Sequence, residues 1–513
     1  MGIAGPNQPH WIVRGDDRQF LAGDRAAVDV ATPWPALVCV SLLALALRAF
    51  HLNDGLWYDE IRSLQESVRS PLAQIATVFP GDNQHTFFSM LAHLSIGLFG
   101  EQPWSLRLPS MLLGTATVPL LYLFAREFTG RTEAVLASLL LAVSYHHVWF
   151  SQNARGYATL CFLTVLSSWL LLRGLRRDRA GDFVAYAVVA ALGVYTHATM
   201  SLLVVSHALL CPLRLGWSRR DGAGWAQWRL PVLGFALAAA LSLLLCAPIL
   251  LALGQHVAVE PPPIAGATPR WALGELLRGM EIGFGSVLGL AAGLLLLAAG
   301  AWSYWKQSPF LLGIFLLPGV LTGAAAVLLH RPVRPRFGLF LIGFGVLVLI
   351  RGAMELGRMG SRFWAPEPRA GGRPAVAARI GTALALVLIV ASAMSLPALY
   401  RHPKQDFAGA LAFVDSQRAD GEPVVTADGA TYPYMTYYQR PWPAIRTLEE
   451  LRRAQAGVAR IWVVYTFPGR IRYQAPQLLD AVSRECDALR VFPGTLGDGE
   501  IAVCALRGQA APQ

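Results

Sequence analysis

Asp59 and Glu60 are adjacent carboxylates just past the first apolar run of a chain that otherwise keeps charge out of its apolar stretches. Acids retained at a membrane boundary are costly there and usually serve chemistry. A carboxylate partly shielded at that depth has a raised pKa and can take a proton from an attacking hydroxyl. The pair can also share a divalent cation, or act without one. The preceding Leu56-Trp57-Tyr58 suits the lipid headgroup level. An ordinary water-exposed acid pair at a helix end is the plain alternative, and composition alone leaves the two readings even.

Other residues of reactive type follow. His85, after Gly81-Asp82-Asn83-Gln84, opens an apolar stretch; an imidazole there can donate to an anionic leaving group or simply cap a helix. His146 and His147 are neighbours and must point apart on a helix, and no Cys/His spacing resembles a zinc site. Arg107, Arg155, and the group Arg331, Arg334 and Arg336 lie at the ends of apolar runs. A guanidinium stays charged when partly desolvated and grips phosphate through paired donors. A lipid-linked phosphate at headgroup depth accounts for all three clusters together, where snorkelling accounts for any one of them.

The elements that must position these groups are membrane helices. The 513 residues are 54% hydrophobic and 15% charged, with a mean hydropathy of +0.44, too apolar for a water-soluble globule. The net charge of +11 sits mainly in short segments between apolar runs, as orientation signals do, and argues against nucleic acid as a partner. Runs long enough to cross about 30 Å of hydrocarbon lie near 34–52, 107–125, 134–150, 157–173, 183–196, 198–213, 230–253, 285–305, 309–329, 337–351 and 380–397. The expectation is a polytopic α-helical membrane protein with about eleven transmembrane helices. Residues 86–100 are too short to span and read as an interfacial or re-entrant helix.

With residues 1–33 as a cytosolic tail, the basic loops (Arg126 and Arg131, Arg173 to Arg179, Arg214 to Arg229, Lys306, Arg351 to Arg379) all face the cytosol. The first external loop, 53–106, then carries the acidic pair. Arg107, Ser151 to Tyr157, His197, the 254–284 loop and His330 to Arg336 share its side, as an outward-facing site requires. Beyond the transmembrane part, 34–397, the composition of 398–513 becomes that of a small soluble α/β domain. Helices are expected at 405–418, 447–456 and 476–485, and strands at 423–427, 460–466 and 500–506. Cys486 and Cys504 either pair across Pro493-Gly494 in an oxidising compartment or stay as unlinked buried thiols.

Leu56-Trp57-Tyr58-Asp59-Glu60, His85 opening a segment that ends Leu98-Phe99-Gly100, and Arg107-Leu108-Pro109-Ser110 with Gly114 resemble the opening of bacterial family 39 glycosyltransferases. These are C-type membrane glycosyltransferases, grouped with protein O-mannosyltransferases and the aminoarabinose transferases of lipid A. Ser151-Gln152-Asn153-Ala154-Arg155-Gly156-Tyr157 is similar to that family's Ser-Gln-x-x-Arg-x-Tyr pattern. The likeness covers about 35–350, and weakly Lys404-Gln405-Asp406-Phe407. It implies a C-type glycosyltransferase fold in a bacterial inner membrane. It also implies transfer, with inversion, of a sugar from a polyprenyl-phosphate donor to a hydroxyl acceptor (protein, lipid or cell-envelope glycan) on the outer face. Under it Asp59 is the general base, Glu60 positions a substrate, His85 lies near the transferred sugar or phosphate, and Arg107, Arg155, Arg334 and Arg336 hold the donor phosphate. No cofactor is required by it, although a divalent cation at Asp59 and Glu60 is compatible. The family usually follows its histidine with two prolines; here Thr86-Phe87-Phe88 stands instead. A transporter or flippase of lipid-linked saccharides would also want external arginines, but it favours midplane charges and inverted repeats, which the sequence does not display.

Overall fold

The computed structural model describes residues 32–81, 83–217, 226–258, 269–284, 286–329, 335–364 and 372–509. The protein is a multi-pass membrane protein built on a helical bundle. Among the described residues, seven helices are long and apolar enough to cross a bilayer: Pro103–Ala125, Tyr157–Arg177, Gln227–His256, Val287–Gln307, Pro309–Leu328, Arg336–Arg362 and Ala375–Tyr400. The remaining expected spans correspond to shorter helices, Trp34–Ala49, Ala180–Thr196 and Thr199–Pro212, and to a broken one, so the structure does not carry the count of eleven.

The break falls inside the expected 134–150 span, where Arg131–Ala142 and Tyr145–Ser151 meet at 57°. Breaking a helix frees carbonyls that need donors. Arg48, fully buried, donates to Leu141 O (3.3 Å) and Ala142 O (3.1 Å) and reaches His147 Nδ1 at 2.6 Å. His146 points elsewhere, to Gly279 O at 2.6 Å. The bend turns the Ser151–Tyr157 segment back towards the acidic pair. Residues 86–99 form the expected non-spanning helix, Thr86–Phe99, stopped by Gly100 at φ 82°.

The C-terminal region carries a five-stranded sheet in the order β2-β1-β3-β5-β4. Its strands are β1 (Val424–Asp428), β2 (Ala444–Ile445), β3 (Arg460–Thr466), β4 (Cys486–Phe492) and β5 (Ile501–Arg507). β1 pairs in parallel with β2 and β3, whereas β5 is antiparallel to β3 and β4. All three expected strands and all three expected helices are present, and β2, β4 and the helices Thr431–Thr436 and Pro468–Gln474 add to them. Cys486 and Cys504 form a disulfide joining β4 to β5.

Successive strand residues face opposite sides, and here both sides are covered. Val425, Ala427, Val463 and Cys504 pack with Leu451, Leu479 and Val482 of two covering helices. Val424, Trp462, Val464 and Val503 pack with Phe407, Ala410 and Val414 of helix Phe407–Gln417. That second cluster also contains Leu56, Ile61, Leu64, Phe88, Leu106 and Ala154 of the membrane part. One apolar core therefore runs from the first loop into the sheet.

Candidate active site

The short helix Tyr58–Ser63 carries both acids in its first turn, so consecutive side chains leave it in different directions. Glu60 turns inward and is fully buried. Its Oε1 accepts from Arg107 Nε (2.8 Å) and from the Ala154 amide (2.7 Å). Its Oε2 accepts from Arg107 Nη2 (2.6 Å) and the Trp57 amide (3.3 Å). Burial alone would raise the Glu60 pKa, but the Arg107 charge and hydrogen bonds, with Lys404 and the Ala154 amide, hold it below the usual carboxylate value.

Arg107 completes this lock. Its Nη1 donates to Leu52 O (2.8 Å) and Asp54 O (2.7 Å), and Nη2 also reaches Gly55 O at 3.0 Å. All five guanidinium donors are engaged by the protein. The resemblance gave Arg107 to a donor phosphate; in the structure its donors fasten the loop that leads into the acidic helix. Glu60, expected to position a substrate, carries four hydrogen bonds on its two oxygens and anchors the same helix.

Asp59 faces the other way. Its Oδ2 lies 3.1 Å from Arg336 Nη1 and 3.9 Å from Arg155 Nη2. The Asp59 side chain is 13% exposed and that of Arg336 29%, against 2% or less for Arg155, Arg107 and Glu60. Asp59 and Arg336 thus form the accessible end of an otherwise sealed cluster. Arg155 Nη1 donates to Ser63 Oγ (3.0 Å) and Asn83 O (2.5 Å), while its buried Nε has no hydrogen-bond partner among the described residues. Asn83 Nδ2 closes the ring by donating to Asp59 O (3.2 Å) and Ser63 Oγ (3.2 Å). Arg331, Arg334 and Asp82 lie outside the described residues.

The Ser151–Tyr157 segment wraps the acidic helix residue by residue. Asn153 Oδ1 accepts from Trp57 Nε1 at 2.8 Å, the Ala154 amide binds Glu60, and Arg155 faces Asp59. Gly156 lets His85 approach: a Cβ there would come within 2.7 Å of the His85 Cβ. Gly114 does the same for Ser151, whose Oγ would lie 2.2 Å from an added Cβ. His85, the residue before helix Thr86–Phe99, does not cap it through its side chain. Its ring lies 4.9 Å from Tyr157 and stacks at 5.2 Å on His197. Burial first, then Arg155, His197 and Arg336, drive the His85 pKa well below 6.5 against an opposing interaction with the Thr196 backbone. His85 is therefore neutral at neutral pH.

Three further residues of this constellation carry no role in the sequence reading, although their segments are named there. His197 has its pKa lowered to about 4, by burial and then by Arg155 and Arg336. Its Nδ1 accepts from the Thr199 amide at 3.2 Å, which leaves the proton on Nε2. The only signal was its place between two apolar runs. Lys404 donates to Gln152 O at 2.8 Å, and burial, then Arg107, lower its pKa to about 7 despite Glu60 and Asp54. Gln405 accepts from the Tyr58 amide (2.9 Å) and donates to Thr466 Oγ1 (3.1 Å), linking the acidic helix to the end of β3. The Lys404–Phe407 motif pointed to both.

Chemically, the arrangement offers one accessible carboxylate, two guanidiniums beside it, and two neutral imidazoles. Among the described residues no group of three His, Cys, Asp or Glu is arranged to hold a metal ion.

Residues 85–251 match the family model described as dolichyl-phosphate-mannose-protein mannosyltransferase, a stretch that holds His85, Arg107, Arg155 and His197 but not Asp59. A putative mannosyltransferase, YkcB, of Bacillus subtilis is 29% identical over 117 residues, 23% of this chain. An undecaprenyl phosphate-alpha-4-amino-4-deoxy-L-arabinose arabinosyl transferase of Pseudomonas aeruginosa is 31% identical over 233 residues, 41% of this chain. The chain spans 16% and 40% of the lengths of these two relatives. Among solved structures, ArnT from Cupriavidus metallidurans in the apo state superposes with a TM-score of 0.50 at 14% identity, covering 94% of this chain and 100% of that one. The apo oligosaccharyltransferase of Archaeoglobus fulgidus gives 0.51 at 12% identity, covering 89% and 73%. The fold expected from the opening motifs is the fold observed: that of the C-type membrane glycosyltransferases, with a small sheet domain at the C-terminus.

Proposed function

We propose that this chain transfers a sugar from a polyprenyl-phosphate donor to a hydroxyl acceptor at the extracytoplasmic face of a bacterial inner membrane. The observation that carries the reading is Asp59, the accessible carboxylate of the cluster, held against Arg336 and Arg155 at one end of the helical bundle. The mannosyl and aminoarabinosyl transferases among its relatives support the reaction class and the donor class.

In this reading the donor phosphate lies against Arg155 and Arg336. The bond between the anomeric carbon and the phosphate oxygen breaks, the acceptor oxygen bonds to that carbon from the opposite side, and Asp59 takes the acceptor's proton. The charge that grows on the leaving phosphate is met by fixed donors, an electrostatic contribution realised in the transition state. Neutral His85 and His197 lie beside Arg155 and Arg336 without adding charge. Glu60 and Arg107 keep Asp59 in place. No step is routed through a divalent cation, because Glu60 has no oxygen lone pair left to share with Asp59.

For orientation we favour an outward-facing site. The helices that begin at the site with Pro103, Tyr157 and Arg336 end in Arg126, Arg173 to Arg177, and Arg351 to Arg362, as the positive-inside rule wants for a cytosolic end. The Cys486–Cys504 disulfide suits an oxidising compartment on the other side.

Reconstitution into proteoliposomes with undecaprenyl-phosphate sugars tests the reaction class. Release of undecaprenyl phosphate that needs Arg155 and Arg336 is the expected outcome. Movement of intact lipid-linked sugar across the bilayer with no phosphate released would replace the reading with a flippase.

A further inference from the structure

The carboxyl ends of β1 and β2 border a groove of about 440 Å3 lined by Asp428, Thr431, Arg446 and Gln474, with Ile445 and Leu478 in its apolar floor. The strand order places β2 on one side of β1 and β3 on the other. The chain therefore leaves β1 in one direction and returns beyond it in the other. A crevice at the carboxyl ends of parallel strands, at such a reversal, is where open α/β sheets take ligands.

The backbone at this place is unusual. Asp428, ending β1, has φ 50°, and Phe467, just past β3, has φ 55°. Left-handed backbone at non-glycine residues is strained and tends to collect where a ligand is held. The two positions are neighbours, since Asp428 pairs with Thr466. Phe467 lies so close over Gly429 that a Cβ there would meet its ring at 2.5 Å. The turn at Asp428 brings its half-buried carboxylate onto Arg470 Nε. Burial raises the pKa of this carboxylate, with Arg470 opposing.

A row of ring contacts also runs from Arg470 to Tyr58, the residue before Asp59. The Arg470 guanidinium lies 4.8 Å from the Phe467 ring. Phe467 meets Tyr58 edge-on at 5.7 Å, and Tyr58 meets Tyr432 edge-on at 6.3 Å.

We infer that this groove binds a carbohydrate and holds the sugar-bearing acceptor whose hydroxyl Asp59 activates. A carboxylate, an amide, a guanidinium and a hydroxyl above an apolar floor match the paired hydroxyls and C–H face of a pyranose. The Phe467, Tyr58 and Tyr432 rings continue that surface towards the acid. A peptide adding itself as a strand would need an exposed edge of useful length, and β2 has two residues. The acceptor role rests on the transfer reading above. Carbohydrate binding by the groove does not.

The test uses the full chain in lipid nanodiscs free of glycoside detergent, applied to an array of immobilised neutral and amino-sugar oligosaccharides and, in parallel, to arrayed peptides. Wild-type protein binds a subset of the glycans. Ala444→Trp, which fills the groove, and Asp428→Asn, which removes the charge but keeps a residue tolerant of positive φ, each weaken binding at least tenfold. Loss in Asp428→Asn, the milder change, separates groove chemistry from misfolding of the tryptophan variant. No glycan bound by wild type, equal binding by both groove variants, or binding to peptides alone overturns the inference. Glycan binding in a protein that releases no undecaprenyl phosphate leaves the groove intact and removes the transfer reading.

Discussion

The two acids that look equivalent in the sequence do opposite work. Glu60 is sealed and fully hydrogen-bonded, whereas Asp59 is accessible and faces guanidiniums. Removing one member of a buried ion pair leaves the other uncompensated, at a cost of about 3–5 kcal/mol. Arg107→Ala should therefore fail by unfolding, lowering the thermal midpoint in detergent and the yield of monodisperse protein. Arg336→Ala should leave the midpoint nearly unchanged and weaken undecaprenyl phosphate binding. Lys404 gives a pH signature. Its pKa falls from 10.5 to about 7 on folding, so the unfolded chain binds more protons between those values and stability rises with pH across that window. The midpoint of the wild-type protein should climb from pH 7 to pH 9, and Lys404→Met should flatten the climb. In the sequence, charge at a membrane boundary singled out Asp59, Glu60 and three arginine clusters, but residue type cannot separate a buried lock from a binding group. That distinction depends on which way adjacent side chains leave one helical turn.

At the scale of elements, the Ser151–Tyr157 turn positions the site, and its glycine has a specific task. Gly156→Ala should push the His85 ring off its place beside Tyr157, because the added methyl overlaps it. The expected result is at least a tenfold loss of turnover with a small change in thermal midpoint, measured side by side on the purified variant. The helices were legible from apolar run length, and the sheet's core strands from their β-branched runs. The break between Ala142 and Tyr145 was not, since it depends on Arg48 arriving from another helix to satisfy the freed carbonyls. β4 was missed because it is largely exposed and gains its order from pairing with β5 and the Cys486–Cys504 link. A disulfide closing a loop of this size contributes about 3 kcal/mol in the chain-entropy model. Reduction, or Cys486→Ser, should therefore destabilise the sheet while leaving the membrane helices folded, which hydrogen exchange can resolve.

Over the whole molecule, the segment beyond residue 398, where the composition changes, does not pack as an independent body. Leu56, Ile61, Leu64 and Phe88 share one core with Phe407, Val424, Trp462 and Val503, and Gln405 ties Tyr58 to Thr466 across it. Composition reports how polar a segment is, not what its apolar face meets, so this continuity was beyond the sequence. In the reading proposed above, the donor lies at the bundle end of that junction and the acceptor at the sheet end. The central claim is that Asp59 receives the acceptor's proton, and Asp59→Asn tests it most directly, since asparagine keeps the shape and loses the base. General base catalysis contributes about 10²–10⁴-fold. In proteoliposomes supplied with an undecaprenyl-phosphate sugar and envelope acceptors, the variant should bind undecaprenyl phosphate as the wild type does and transfer sugar at least a hundredfold more slowly. Transfer by Asp59→Asn at a rate near that of the wild type would contradict the account.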